Sequence, residues 1–213
     1  MALESLKELY LDELGDLYDA AAQAIRTLPQ LSERAKAPEL REALTVHCQE
    51  SRLHMERLQL IFTHWGQQVW PHACAGVAGI VQEADDRLNQ PKTADVRDAA
   101  IIGVAQRIEH YEIAVYGCAR TYARRLNRPD EARLLQETLD EKTRTDRRLT
   151  EIAEAQVNDE AEGSEEESLD SVSAGKERTR TSPVPTNWAN RARSAPSRAE
   201  RSVAEKRSQA ANR

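Results

Sequence analysis

Apolar residues recur three and four apart through most of the chain and lose that rhythm after residue 156. In the first stretch Leu3, Leu6, Tyr10, Leu14, Leu17, Ala21, Ala24 and Leu28 mark one face, which predicts a helix over 3–28. Pro29 is expected to stand near its end, with LSERAKAPEL as the turn. Pro38 suits the first turn of a second helix, where Glu39 and Glu42 meet the positive end of the dipole. That helix carries Leu40, Leu44, Cys48, Ser51, Met55, Leu58, Phe62 and Trp65 on its stripe and stops at Gly66. Residues 67–92 are less regular, with a short helix over Val77–Leu88 broken by Asn89, Gln90 and Pro91. A third helix starts at Thr93 or Asp95 and runs to Leu126. After a turn at Asn127–Asp130, a fourth carries Leu135, Thr138, Lys142, Thr145, Leu149 and Ile152 to about Ala155.

Two helical hairpins joined by a long crossover with a short helix make the ferritin-like variant of the four-helix bundle. The pattern therefore predicts an all-α bundle over residues 1–156 and a disordered tail over 157–213. Composition agrees: residues are 39% hydrophobic, 31% charged and only 4% aromatic, which argues against an all-β fold. No run approaches the roughly 18 apolar residues of a membrane span. The amphipathic, partly acidic N-terminus has no apolar signal-peptide core, so a cytoplasmic protein is expected. Cys48, Cys74 and Cys118 have no CxxC spacing and read as reduced structural thiols.

Charge divides the tail. Residues 157–175 carry acids and no base, whereas 176–213 hold ten lysines and arginines. Too few apolar groups are present there to offset the entropy of ordering the chain. The basic block offers salt-dependent contact with nucleic-acid phosphates, but Trp188 is its only aromatic residue for stacking on bases.

Candidate chemistry lies in the stretch Ile101–Tyr122. Ile101, Ala105, Ile108, Val115, Ala119 and Tyr122 form a seam with one gap, and Glu112 fills it. Glu109 lies on the same side. A carboxylate on a buried stripe is costly unless it meets a cation, a proton or a metal. On the second helix Glu50 and His54 project from one face, four residues apart, with His47 close beside the stripe. On the fourth, Lys142 takes a seam position and Glu141 lies alongside. No glycine-rich phosphate loop and no nucleophile–histidine arrangement can be assembled from the spacing, His110 falls outside the seam, and Tyr111 reads as packing.

Five segments carry a family resemblance: LGDLYDAAAQAIRTLPQL, APELREAL, the His47–Leu58 pattern H-x-x-x-x-R-x-H-x-E-R-L, VRDAAIIGVAQRIEHYEIAVYG and LLQETLDEKTRTDRRLTEIA. Over residues 3–154 the chain resembles the YciE/YciF-type bacterial stress proteins of the ferritin-like superfamily. The resemblance implies a homodimer and a pair of iron or manganese ions held by inward glutamates and histidines. Where such proteins read YDAE or YSAE this chain reads YDAA, which puts Ala21 in place of a glutamate; Gln49 and Lys142 replace two more. Glu50, His54, Glu109, Glu112 and Glu141 remain as metal-ligand candidates, with His47 and Glu13 in second rank. Two outcomes follow. Either an altered iron or manganese site with redox chemistry survives, or the metal is lost and a Glu112–Lys142 ion pair holds a non-enzymatic scaffold. Both residues stand fifteen positions from Asn127 on neighbouring antiparallel helices, so they share a depth in the bundle.

Overall fold

The computed structural model describes residues 3–69 and 72–163. Its helices are α1 (Leu6–Arg34), α2 (Pro38–His64), α3 (Ala75–Leu88), α4 (Ala94–Arg125) and α5 (Pro129–Ile152), and the described residues include no strand. The short links after α1 and α4 fold α1 back on α2 and α4 back on α5. The hairpins then pack α1 against α4 and α2 against α5, while α3 lies in the crossover against α4 and α1. This is the ferritin-like four-helix bundle that the hydrophobic pattern predicts.

Local chemistry sets most helix ends. Ser5 caps α1 by accepting from the Glu8 backbone N–H at 3.2 Å, and Thr93 caps α4 through the Val96 N–H at 3.3 Å. Pro38 and Pro129 occupy first-turn positions of α2 and α5. Gly66 (φ 64°) and Asn127 (φ 57°) leave α2 and α4 through the left-handed region, which these two residue types tolerate best. The N-terminus of α2 has no cap of its own, since Ala37 lacks a side-chain acceptor. Asp98, buried on α4, supplies one from across the bundle, accepting from Lys36 N at 2.8 Å and Ala37 N at 2.7 Å. Asp98→Ala strands both donors, and we expect it to cost about 2–3 kcal/mol in urea unfolding, more than an ordinary cap. A loss below half a kcal/mol, of the order of an ordinary surface substitution, would refute that role.

Two boundaries differ from those expected. Helix α1 does not stop near Leu28 but passes through Pro29 to Arg34. Proline removes the N–H that would satisfy the Ile25 carbonyl. The Cys48 thiol of α2 donates to that carbonyl instead, at 3.8 Å, while Leu28 and Leu31 on either side of the proline are buried. At the other end the helix does not break at 156. A π-helical turn over Ala153–Val157 is followed by helical residues to 163. Past this wider turn Val157 joins the core, five residues after Ile152. The remaining tail, 164–213, expected as an acidic and then a basic disordered segment, lies outside the described residues.

The core is two apolar halves with a polar layer between them. One half gathers Ala24, Leu28, Leu40, Leu44, Ile101, Ile108 and Leu149; the other gathers Tyr10, Leu14, Leu17, Leu58, Phe62, Tyr116 and Leu135. Each long helix passes from one half to the other. On α2, α4 and α5 the crossing residues are polar and buried: His47, Ser51 and His54; Glu109 and Glu112; Thr138 and Lys142. On α1 they are Ala20 and Ala21. The seam of α4 also shifts past its midpoint, where Tyr116 and Ala123 are buried while Val115 and Tyr122 are only partly so. That is the drift expected when 3.6 residues per turn runs over a long straight helix.

Candidate functional site

The polar layer is built around one ammonium group. Lys142 Nζ of α5 donates to Glu112 Oε2 of α4 at 2.6 Å, lies 3.6 Å from Glu109 Oε2, and approaches His47 Nε2 of α2 at 3.3 Å. His47 Nε2 also lies 2.7 Å from Glu109 Oε1, yet no hydrogen bond is aligned on either Glu109 oxygen. All four side chains are at most 1% exposed. Burial works against the Lys142 ammonium, yet Glu109 and Glu112 outweigh it and hold the group above its ordinary value. The same balance acts on Glu109: burial favours its acid form, and Lys142 with His47 nevertheless keeps it ionised below the usual range.

A second cluster adjoins the first and reaches the surface. His54 Nε2 donates to Glu141 Oε2 at 2.9 Å, and Arg57 grips both oxygens of the same carboxylate, Nη2 to Oε1 at 2.9 Å, while also reaching Thr138. The Arg57 hydrogen bond is the main reason that Glu141 falls to about 2, against the opposing effect of burial. His54 is pushed down to about 3 by burial and by the Lys142 charge, so it is neutral at physiological pH. Its Nδ1 then carries a lone pair with no partner. The Tyr116 ring meets His54 edge-on, with centroids 6.3 Å apart, and burial beside Glu112 holds its phenol far above its ordinary range.

The geometry regroups the residues that the sequence singled out. Among the described residues, the one group of three or more donors able to converge on a metal is His47, Glu109 and Glu112, with donor atoms within 4.8 Å of one another. His47 thus moves from second rank to the centre. His54 and Glu141 bond to each other outside that trio, and Glu50 stands apart, partly exposed, accepting from Thr145 Oγ1 at 2.9 Å. Glu13, also partly exposed, is not in the trio. The five candidates Glu50, His54, Glu109, Glu112 and Glu141 therefore do not form one ligand sphere. Sequence reasoning missed Arg57, although it follows His54 by three residues and so shares its flank of α2.

Two metal ions do not fit the residues present. A two-metal centre needs bridging carboxylates, but α1 offers Ala21 at this level, and on α5 an ammonium stands among the carboxylates. Four carboxylate and imidazole atoms of the trio have no hydrogen-bond partner: His47 Nδ1, both oxygens of Glu109, and Glu112 Oε1.

Two hairpins, a helical crossover and a charged layer at mid-height define a ferritin-like four-helix bundle protein. The chain belongs to the DUF892 family, a domain of unknown function whose match covers residues 5–162. It is 34% identical over 163 residues to Protein YciF of Escherichia coli K12, covering 76% of this chain and 98% of that protein. The solved structure of the E. coli stress protein YciF aligns at a TM-score of 0.69 and 32% identity, over 73% of this chain and 99% of that one. YcfI of Rhodopseudomonas palustris, for which a structural role has been suggested, aligns at 0.68 and 34% identity, over 69% and 94%. A Xanthomonas campestris protein at 19% identity and a TM-score of 0.62 shares the fold. No helix among the described residues is long and apolar enough to cross a membrane.

Proposed function

We propose that the chain is a stress-related, non-enzymatic structural protein in which Lys142 supplies the core cation that two metal ions supply in ferritin-like relatives. One observation carries this reading: the Lys142 ammonium lies 2.6 Å from Glu112 Oε2, with both side chains fully buried. A fixed protein cation leaves no open coordination position for oxygen or peroxide, so the layer is suited to registering the helices rather than to redox turnover. The stress relation rests on likeness to YciF, and the structural role on the suggestion made for YcfI. Cytoplasmic location and a homodimer complete the proposal, the basic segment 176–213 adding weak, salt-dependent nucleic-acid contact.

Protein purified without chelator, with iron and manganese both offered, is expected to carry substoichiometric metal. It is also expected to consume no oxygen or peroxide after iron loading. Two tightly bound ions per chain, or sustained turnover, would overturn the proposal. A second reading, an altered centre holding one iron or manganese ion, is favoured by the convergence of His47, Glu109 and Glu112. One bound ion in the wild-type protein would select it.

A further inference from the structure

The unsatisfied atoms around Lys142 say more about the centre than the ion pair does. A layer evolved only around an ammonium would aim its acceptors at that ammonium's three N–H bonds. Here Glu112 Oε2 is engaged at 2.6 Å and His47 Nε2 lies within reach at 3.3 Å, while both Glu109 oxygens and Glu112 Oε1 are buried without a hydrogen bond. His47 Nε2 and Glu109 Oε1 lie 2.7 Å apart without a hydrogen bond aligned between them. Lone pairs that crowd one another in this way are normal around a metal ion, where each points at the ion and not at its neighbour.

We propose that His47, Glu109 and Glu112 form a latent single-cation site that Lys142 Nζ occupies, and that Lys142→Met alone turns the bundle core into a site for one divalent transition-metal ion. The inference rests on the reading that the lysine replaces metal in the wild-type protein.

The donor set, one imidazole and two carboxylates, suits borderline ions such as Zn2+, Co2+, Mn2+ or Fe2+. Distances from Nζ to the three partners are 2.6, 3.3 and 3.6 Å. Metal bonds of about 2.0–2.2 Å require each ligand to close in by roughly 0.5–1.5 Å. The unengaged carboxylate oxygens are free to rotate inward because no hydrogen bond holds them. Methionine keeps the length of the lysine stem, removes its charge and vacates the space of the ammonium. A divalent ion then sets two positive charges against Glu109 and Glu112 in place of one. His47 Nδ1 has no partner to orient the ring, so affinity will fall short of that of a fully supported natural centre.

Zn2+ and Co2+ serve as probes on the full-length chain. Wild-type protein is expected to show no change in Tm with either ion and no visible cobalt absorption. K142M is expected to bind one equivalent per chain, to gain Tm on addition of Zn2+, and to develop cobalt d–d bands. Adding His47→Ala to K142M should weaken binding at least about a hundredfold, since loss of a ligand exceeds loss of its outer partner. Should K142M fail to fold alone, folding restored by one equivalent of Zn2+ gives the same answer. The double variant K142M/E112Q is the control, folding without metal and binding none. Wild-type protein that binds no ion together with K142M that binds none, or that is not rescued, overturns this inference and leaves the structural proposal standing. K142M binding that is indifferent to His47→Ala also overturns it. Stoichiometric metal in the wild-type protein instead defeats the reading on which it rests.

Discussion

Removing either partner of the central ion pair is expected to cost about 3–5 kcal/mol, while removing both costs much less than the sum. In Glu112→Leu the Lys142 ammonium keeps Glu109 at 3.6 Å and His47 Nε2 at 3.3 Å but loses its one short hydrogen bond. In K142M the two carboxylates face each other in a dry core with no cation beside them, and one must take up a proton to remain there. The double variant E112L/K142M removes opposite charges together, leaving Glu109 beside His47 and apolar side chains to fill the layer. Urea unfolding of the four proteins gives the coupling directly. We expect a coupling of at least about 2 kcal/mol, with the double variant no less stable than the weaker single one. Additive losses would show that the pair does not act as a unit and would remove the physical basis for treating Lys142 as the core's counter-ion.

Mild acid is expected to destabilise the protein before its carboxylates titrate. His54 takes up its proton near 6.5 in an unfolded chain but only near 3 in the folded one. The unfolded state therefore binds more protons below pH 6.5, so stability rises with pH across that window and its full contribution is present above it. Each unit below 6.5 removes up to 1.36 kcal/mol, and between pH 7.5 and 5.0 the loss should be about 2 kcal/mol. Glu141 adds a second loss at lower pH, from its ordinary 4.5 down toward 2, because the Arg57 contact favours its ionised form. His54→Gln keeps a donor toward Glu141 without the titration. The variant should lose less than half as much stability as the wild type between the two pH values. Equal losses in the two proteins would mean that His54 does not control the acid response.

The four long helices, the crossover and the order of the hairpins were legible because helical periodicity is local, with each apolar residue reporting the face of its own helix. Depth along an antiparallel hairpin is nearly as local, since it is counted from the turn, and that count placed Glu112 opposite Lys142. Lys142 was visible as a charged residue type on a buried stripe, whereas Ala21 stood out only against the YDAE or YSAE that the family resemblance implies.

What the sequence could not supply was rotation and height between helices distant in the chain. Whether His47 or His54 meets the α4 carboxylates depends on how α2 is set against α4 and α5, and the two apolar halves of the core decide that together. The same packing placed Arg57 on Glu141, drew Asp98 to the bare N-terminus of α2, and brought the Cys48 thiol to the Ile25 carbonyl where α1 passes through Pro29. It also buried Val157 through a π turn where the sequence pattern had faded. Sequence alone determined the fold and named most of the charged residues in the layer. Only the tertiary structure decided which of them touch, because a contact between three helices is fixed by the packing of the whole core and not by the spacing within any one of them.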